Sequence, residues 1–200
     1  MKRNWNKWLE MLACFGVIAT LSVVAGCKED NPGDPNDGNE QELITKVILT
    51  LTENGMGRAI TATFRDPDGV GGVNATVDTL KVKAGSAYTG AMALADESKN
   101  PPTDITAEIA DEKDAHQFFN TPNGALAGRL TITITDKDSR NLPVGLAFTI
   151  AVTAGAPVTG SAANSVKVAL SHYDPASTKN GTTPSSETDV EIDFPVNIAN

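Results

Sequence analysis

Leu130-Thr131-Ile132-Thr133-Ile134 alternates apolar and hydroxyl side chains without a fault. In an extended chain, successive side chains point to opposite faces, so such a run is a strand with one face buried and one wet. The same period of two recurs along the chain. Val47, Leu49 and Leu51 alternate with Ile48, Thr50 and Thr52, and Ile60, Ala62 and Phe64 alternate with Thr61, Thr63 and Arg65. Leu80 and Val82 are set between lysines, while Tyr88, Met92 and Leu94 share one parity. Further runs are Val144 to Val152, Val166 to Leu170, and Val190 to Ile198, the last with Asp189, Glu191 and Asp193 on the outward parity. Asn54-Gly55 marks a hairpin turn. Pro195 has no N–H for a ladder, which predicts a free edge on the last strand.

About eight or nine strands follow from this pattern. One helix interrupts them, with Asp104 as its cap, Ile105 and Ile109 inward, and Glu108, Asp111 and Glu112 outward. A strand is expected to begin within His116-Gln117-Phe118-Phe119. Strand–helix alternation is missing, so a parallel α/β sheet is not expected. The expected fold is all-β: a two-sheet antiparallel sandwich, Ig-like, with one short helix.

The chain has 200 residues, and its beginning reads as an address. A basic start is followed by a short apolar run, Met11 to Val24, and then Ala25-Gly26-Cys27. The run is too short to cross a bilayer, which takes about 20 helical residues. It matches a secretory leader, and the cysteine after two small residues matches a lipobox. Residues 1–26 are expected to be removed, with cleavage between Gly26 and Cys27 and acylation of Cys27. Two or more acyl chains on Cys27 would hold the protein durably in lipid.

Cys14 leaves with the leader, so no free thiol remains for a disulfide, a thiolate metal site or a nucleophile. Residues 27–42 are expected to be the lipidated cysteine and a flexible acidic tether, because residues 28–42 hold six acids against Lys28 alone. The β-sandwich domain is expected to span residues 43–200. The whole chain carries −9 and the leader +2, so the mature chain carries about −11. A surplus of acid on that scale excludes phosphate-backbone binding, and with it a nucleic-acid partner. Lys28 stands beside the lipid cysteine where an inner-membrane retention aspartate would stand, which points to the outer membrane.

These stretches resemble an uncharacterised family of Bacteroidota outer-membrane lipoproteins. The resemblance rests on the leader with its lipobox, ELITKVILTLT, FRDPDGVGG, DITAEIADEKDAHQFF and ETDVEIDFPVNI. Lys28-Glu29-Asp30 is similar to the export signal of surface-displayed members, which favours the cell surface over the periplasmic face. Some members carry a label naming a type 1 periplasmic-binding fold, which implies alternating strands and helices. The family implies no activity and no catalytic residues. Its aspartate loop is often richer in acid than the loop here, where Val70 stands at a possible ligand position.

The best cation motif is Asp66-Pro67-Asp68-Gly69. Calcium takes six to eight oxygens on a tight loop, and two aspartates around a turn begin such a set. Val70 and Val77 replace the side-chain ligands that a full EF-hand needs. Asp136 and Asp138 follow a second strand, so both pairs are expected at one end of the sandwich, where they could share a Ca²⁺. The same residues are also ordinary turn formers. His116 and His172 are the only imidazoles. Each reads more simply as a structural histidine at a strand end than as a ligand or base. No catalytic motif is present. Tyr88 and Tyr173 are the only tyrosine or tryptophan faces left for a sugar platform after the leader is removed. The expected role is a non-enzymatic binding or structural module of the envelope, meeting an unknown protein or small ligand. The alternatives are a calcium-dependent adhesion or surface-layer module and an envelope hydrolase working through His116 or His172.

Overall fold

Most of the alternating segments are strands in the computed structural model, which describes residues 42–69 and 72–200. The lipobox, Cys27 and the tether up to residue 41 lie outside the described residues, as do Val70 and Gly71. The strands are β1 (Lys46–Glu53), β2 (Ala59–Arg65), β3 (Thr76–Val77), β4 (Leu80–Lys83), β5 (Ala87–Asp96) and β6 (Thr103–Asp104). After the helix α1 (Ile105–Asp111) come β7 (His116–Pro122), β8 (Leu130–Ile134), β9 (Ala147–Val152), β10 (Ser165–His172) and β11 (Glu187–Ala199). They form a two-sheet sandwich. One sheet has the order β3-β2-β1-β5-β9-β8, with β6 added on β5, and the other has the order β4-β11-β10-β7.

The apolar parity of both sheets meets in one core. Val47, Leu49 and Leu51 of β1, Tyr88 and Met92 of β5 and Phe148 and Ile150 of β9 face it from the first sheet. Phe118, Val168, Leu170, Phe194 and Val196 face it from the second. The helix is built as its sequence requires. The Asp104 carboxylate accepts from the N–H groups of Thr106 and Ala107, and Ile105 and Ile109 are buried. The β1–β2 hairpin turns at Asn54-Gly55, with Gly55 at φ 80°.

Three expectations are corrected. Among the described residues the strands number eleven, because β3 and β6 are two-residue pairings with no period to read. Val144 is buried, but β9 begins only at Ala147. The last strand is not an edge: β11 lies between β4 and β10, and its partnership with β4 is parallel. Val196 donates its N–H to Asn164 on the β10 side. Position 195 therefore faces β4, and β4 pairs only from Val196 onward, just past the missing N–H of the proline.

Gly90 on β5 is opposite Phe148 on β9, and a Cβ at position 90 would be 2.3 Å from the Phe148 ring. The ring is 1% exposed and has no room to withdraw. Gly90→Ala should therefore cost about 1–3 kcal/mol of stability through overpacking. Urea denaturation would measure the loss, and a variant as stable as the parent would show that the sheets can part there.

Candidate metal centre

Two histidines, an aspartate and a glutamate meet where β7, β10 and β11 end. His116, the first residue of β7, is directly opposite His172, the last residue of β10, and the ring centroids are 4.5 Å apart. Asp189 comes from β11 by a change of register. Leu170 pairs with Val190 but Ser171 pairs with Thr188, so Asp189 is the extra residue of a bulge. A bulge breaks the two-residue period and re-aims a side chain. The Asp189 side chain is accordingly 0% exposed rather than outward, whereas Glu191 and Asp193 are exposed as expected. Glu42 comes from the segment ahead of β1. Assigned by composition to the tether, it is instead packed, with its side chain 9% exposed.

One ligand atom from each of these four residues can be chosen so that all lie within 4.8 Å of one another. Nε2 of His116 is 3.1 Å from Oε1 of Glu42 and 3.6 Å from Oδ2 of Asp189. Nδ1 of His172 is 3.9 Å from Oδ1 of Asp189. The 3.1 Å contact is an ion pair when His116 is protonated. His116 Nε2, Glu42 Oε2 and both oxygens of Asp189 are buried without a hydrogen-bond partner. The other ring nitrogen of His116, Nδ1, is 3.2 Å from the carbonyl of Glu112 at the end of α1. A carbonyl only accepts, so Nδ1 carries the proton, and in the neutral ring the lone pair of Nε2 points at the carboxylates.

The electrostatics follow from burial and charge. Burial, reinforced by the Glu42 carboxylate, pushes the Asp189 carboxyl up to about 7. Burial would also raise Glu42, but His116 outweighs it and holds that carboxyl below its usual range. Burial would lower His116, but Glu42, the Glu112 carbonyl and Asp189 together raise it. Two carboxylates confined with two imidazoles thus demand positive charge, which either protons or a cation can supply. A cleft of about 290 Å³ adjoins the group, lined by His172, Asp174, Ser186 and Glu187 among others.

The aspartates singled out in the sequence are placed differently. Asp66 and Asp68 follow β2, and Asp136 and Asp138 follow β8, at the same end of one sheet. Four strand spacings separate β2 from β8, about 19 Å, which is too far to share an ion. Asp136 accepts from the N–H groups of Gly145 and Leu146, and Asp138 from those of Arg140 and Leu142. Oδ2 of Asp138 also has the Lys179 ammonium at 3.0 Å. These carboxylates fasten their own loop. Asp68 accepts from Val73 N–H across the DPDG turn. Tyr88 and Tyr173 are 0% and 3% exposed, so neither offers a face to a sugar.

No family model, curated protein or solved structure matches this chain. The functional reading therefore rests on the residues themselves. Among the described residues, the His–carboxylate group is the one place where at least three possible metal ligands converge. Each histidine had been visible in the sequence. Their opposition had not, because strand register carries no local signal.

Proposed function

We propose that this chain is an exported, lipid-anchored module of a Gram-negative outer membrane that acts by binding, with the buried His–carboxylate group as a cation centre. The address is carried by Ala25-Gly26-Cys27 and by the acidic stretch after it. The resemblance to Bacteroidota lipoproteins supports the same reading, with display at the cell surface favoured. One observation carries the binding role: Glu42, His116 and Asp189 hold buried side-chain atoms without a hydrogen-bond partner, and His172 lies against them. Burying charge without compensation is costly, so the arrangement makes sense around a positive guest. His116 is 0% exposed and hemmed in by Glu42 and Asp189, which speaks against a role as a base for a substrate. The aspartate pairs, about 19 Å apart and with Asp68, Asp136 and Asp138 already accepting from backbone N–H groups, speak against a calcium-dependent adhesion module.

Two measurements test this. Cys27→Ser should lose lipid labelling and membrane partitioning, and a variant that still partitions would remove the anchor. A guest at about 100 times its Kd adds about 2.7 kcal/mol to the folded state. For a chain of this size that is roughly 5–11 °C in Tm. A panel of divalent cations added to chelator-treated protein should include one that gives such a rise; no shift with any would remove the cation centre.

A further inference from the structure

We propose that Glu42, His116, His172 and Asp189 bind one divalent metal ion of the zinc class, and that through Glu42 the ion clasps the segment linking the domain to Cys27. This rests on reading the group as a cation centre and adds the identity of the ion and what it holds.

The donor set selects the metal. Calcium and magnesium take six or more oxygens, whereas this group offers two carboxylates and two imidazole nitrogens. Zinc takes four ligands of that mixed kind, at about 2.0–2.2 Å. A tetrahedron with such bonds has ligand–ligand edges of about 3.3 Å. The contacts of 3.1, 3.6 and 3.9 Å, the last two made by different oxygens of Asp189, and a set of four ligand atoms within 4.8 Å of one another leave a shell that closes by drawing in about 1.5 Å at its widest. Two carboxylates also neutralise a doubly charged ion, which suits a buried position.

The surroundings are those a metal site requires. A metal-ligating imidazole usually gives its second N–H to a carbonyl or carboxylate, which fixes the ring and leaves the other nitrogen free to bind. The Glu112 carbonyl does this for His116. The two histidines are locked opposite each other by the β7–β10 ladder, and the bulge sends the Asp189 carboxylate, 0% exposed and without a hydrogen-bond partner, into the same space. The cleft beside His172 offers an entry path.

Three ligands belong to strands of one sheet, and Glu42 alone does not. It precedes β1, and residues 28–41 separate it from Cys27 in the sequence. An ion held by all four therefore ties the chain at Glu42 to the sheet. Without the ion, Glu42 is free to move away, uncovering the histidines.

The test uses the full mature chain in detergent, stripped with a chelator. Titration with zinc chloride should give one ion per chain, and calcium chloride should give no heat. Cobalt in place of zinc should produce the intense visible absorption of a four-coordinate site. Glu42→Gln, which keeps the shape of the side chain, should weaken zinc binding by at least about tenfold. A glutamate-specific protease should cut after Glu42 more slowly with zinc bound, while cutting after Glu29 should not change. That protection should vanish in His116→Gln, with circular dichroism confirming that each variant folds. If no divalent ion binds, the cation reading falls along with the inference. If calcium is preferred, or cobalt lacks the four-coordinate spectrum, the cation reading stands and the zinc assignment is overturned. If zinc binds but Glu42→Gln binds equally well and protection is unchanged, the clasp is overturned.

Discussion

Replacing Lys179 by methionine should lower the unfolding free energy by about 3–5 kcal/mol, the usual cost of stranding one partner of a buried ion pair. Lys179 reaches in from the loop after β10 and its side chain is 0% exposed, as is that of Asp138, whose Oδ2 is 3.0 Å from the ammonium. The ammonium also donates to the carbonyl of Lys113 beyond α1, at 2.8 Å. One cation thus joins three loops at the end of the sandwich that carries the His–carboxylate group. Burial draws the Lys179 ammonium below its ordinary pKa, while Asp138 opposes that pull. Burial would raise Asp138, but the Leu142 N–H and Lys179 outweigh it and hold the carboxyl below its usual range. Without Lys179 the carboxylate keeps its backbone donors and only Arg140, at 3.6 Å, as a counter-charge. In a domain of this size the loss amounts to roughly 6–20 °C in Tm. Adding Asp138→Asn to Lys179→Met should recover most of it, because the stranded charge is gone. Urea denaturation of the two single variants and the double variant measures the coupling. A Lys179→Met protein within about 1 kcal/mol of the parent would show that the pair is solvated.

The second large effect is a dependence on pH in metal-free protein. The Asp189 carboxyl is pushed up to about 7 when folded and returns to its ordinary value of 3.8 when unfolded. Between those values the folded state holds a proton that the unfolded state has lost, so stability falls as pH rises. His116 acts in the same direction: its contribution is complete below 6.5 and is lost as pH rises through its higher folded value. Glu42, with its folded pKa lowered, contributes above 4.5 and is lost as pH falls. His172 and Glu187 face the same group. Each extra proton held by the folded state gives a slope of about 1.4 kcal/mol per pH unit. Metal-free protein should therefore be about 2–3 kcal/mol less stable at pH 7 than at pH 5. Asp189→Asn should flatten most of that slope. Chemical denaturation at the two pH values, parent against variant, decides it; an equal slope in both would place the titration elsewhere.

Much of the sandwich was legible because burial acts through a period of two, and the runs from Val47 to Leu51 and from Val166 to Leu170 have no competing reading. The helix was legible from Asp104 and its spaced isoleucines. The centre was not, for reasons particular to each residue. Glu42 sits among acids whose composition argues for solvent, and only its contact with His116 overrides that argument. Asp189 continues an unbroken alternation with Glu191 and Asp193, so the bulge that turns it inward leaves no mark in the sequence. The two histidines belong to strands whose register is set by distant pairings. Pro195 was read by a rule about a missing donor, and that rule says nothing of a parallel neighbour that begins one residue later. The aspartate pairs had the right residue types and the right end of the sheet, but the strand order β2-β1-β5-β9-β8 sets them apart.

The thirteen residues of β11, Glu187–Ala199, form an interior strand of their sheet. Without them, β4 and β10 have nothing to zip onto, and Phe194, Val196 and Ile198 are missing from the core. A domain in which β11 is displaced therefore cannot close its second sheet, so one segment secures both halves of that sheet.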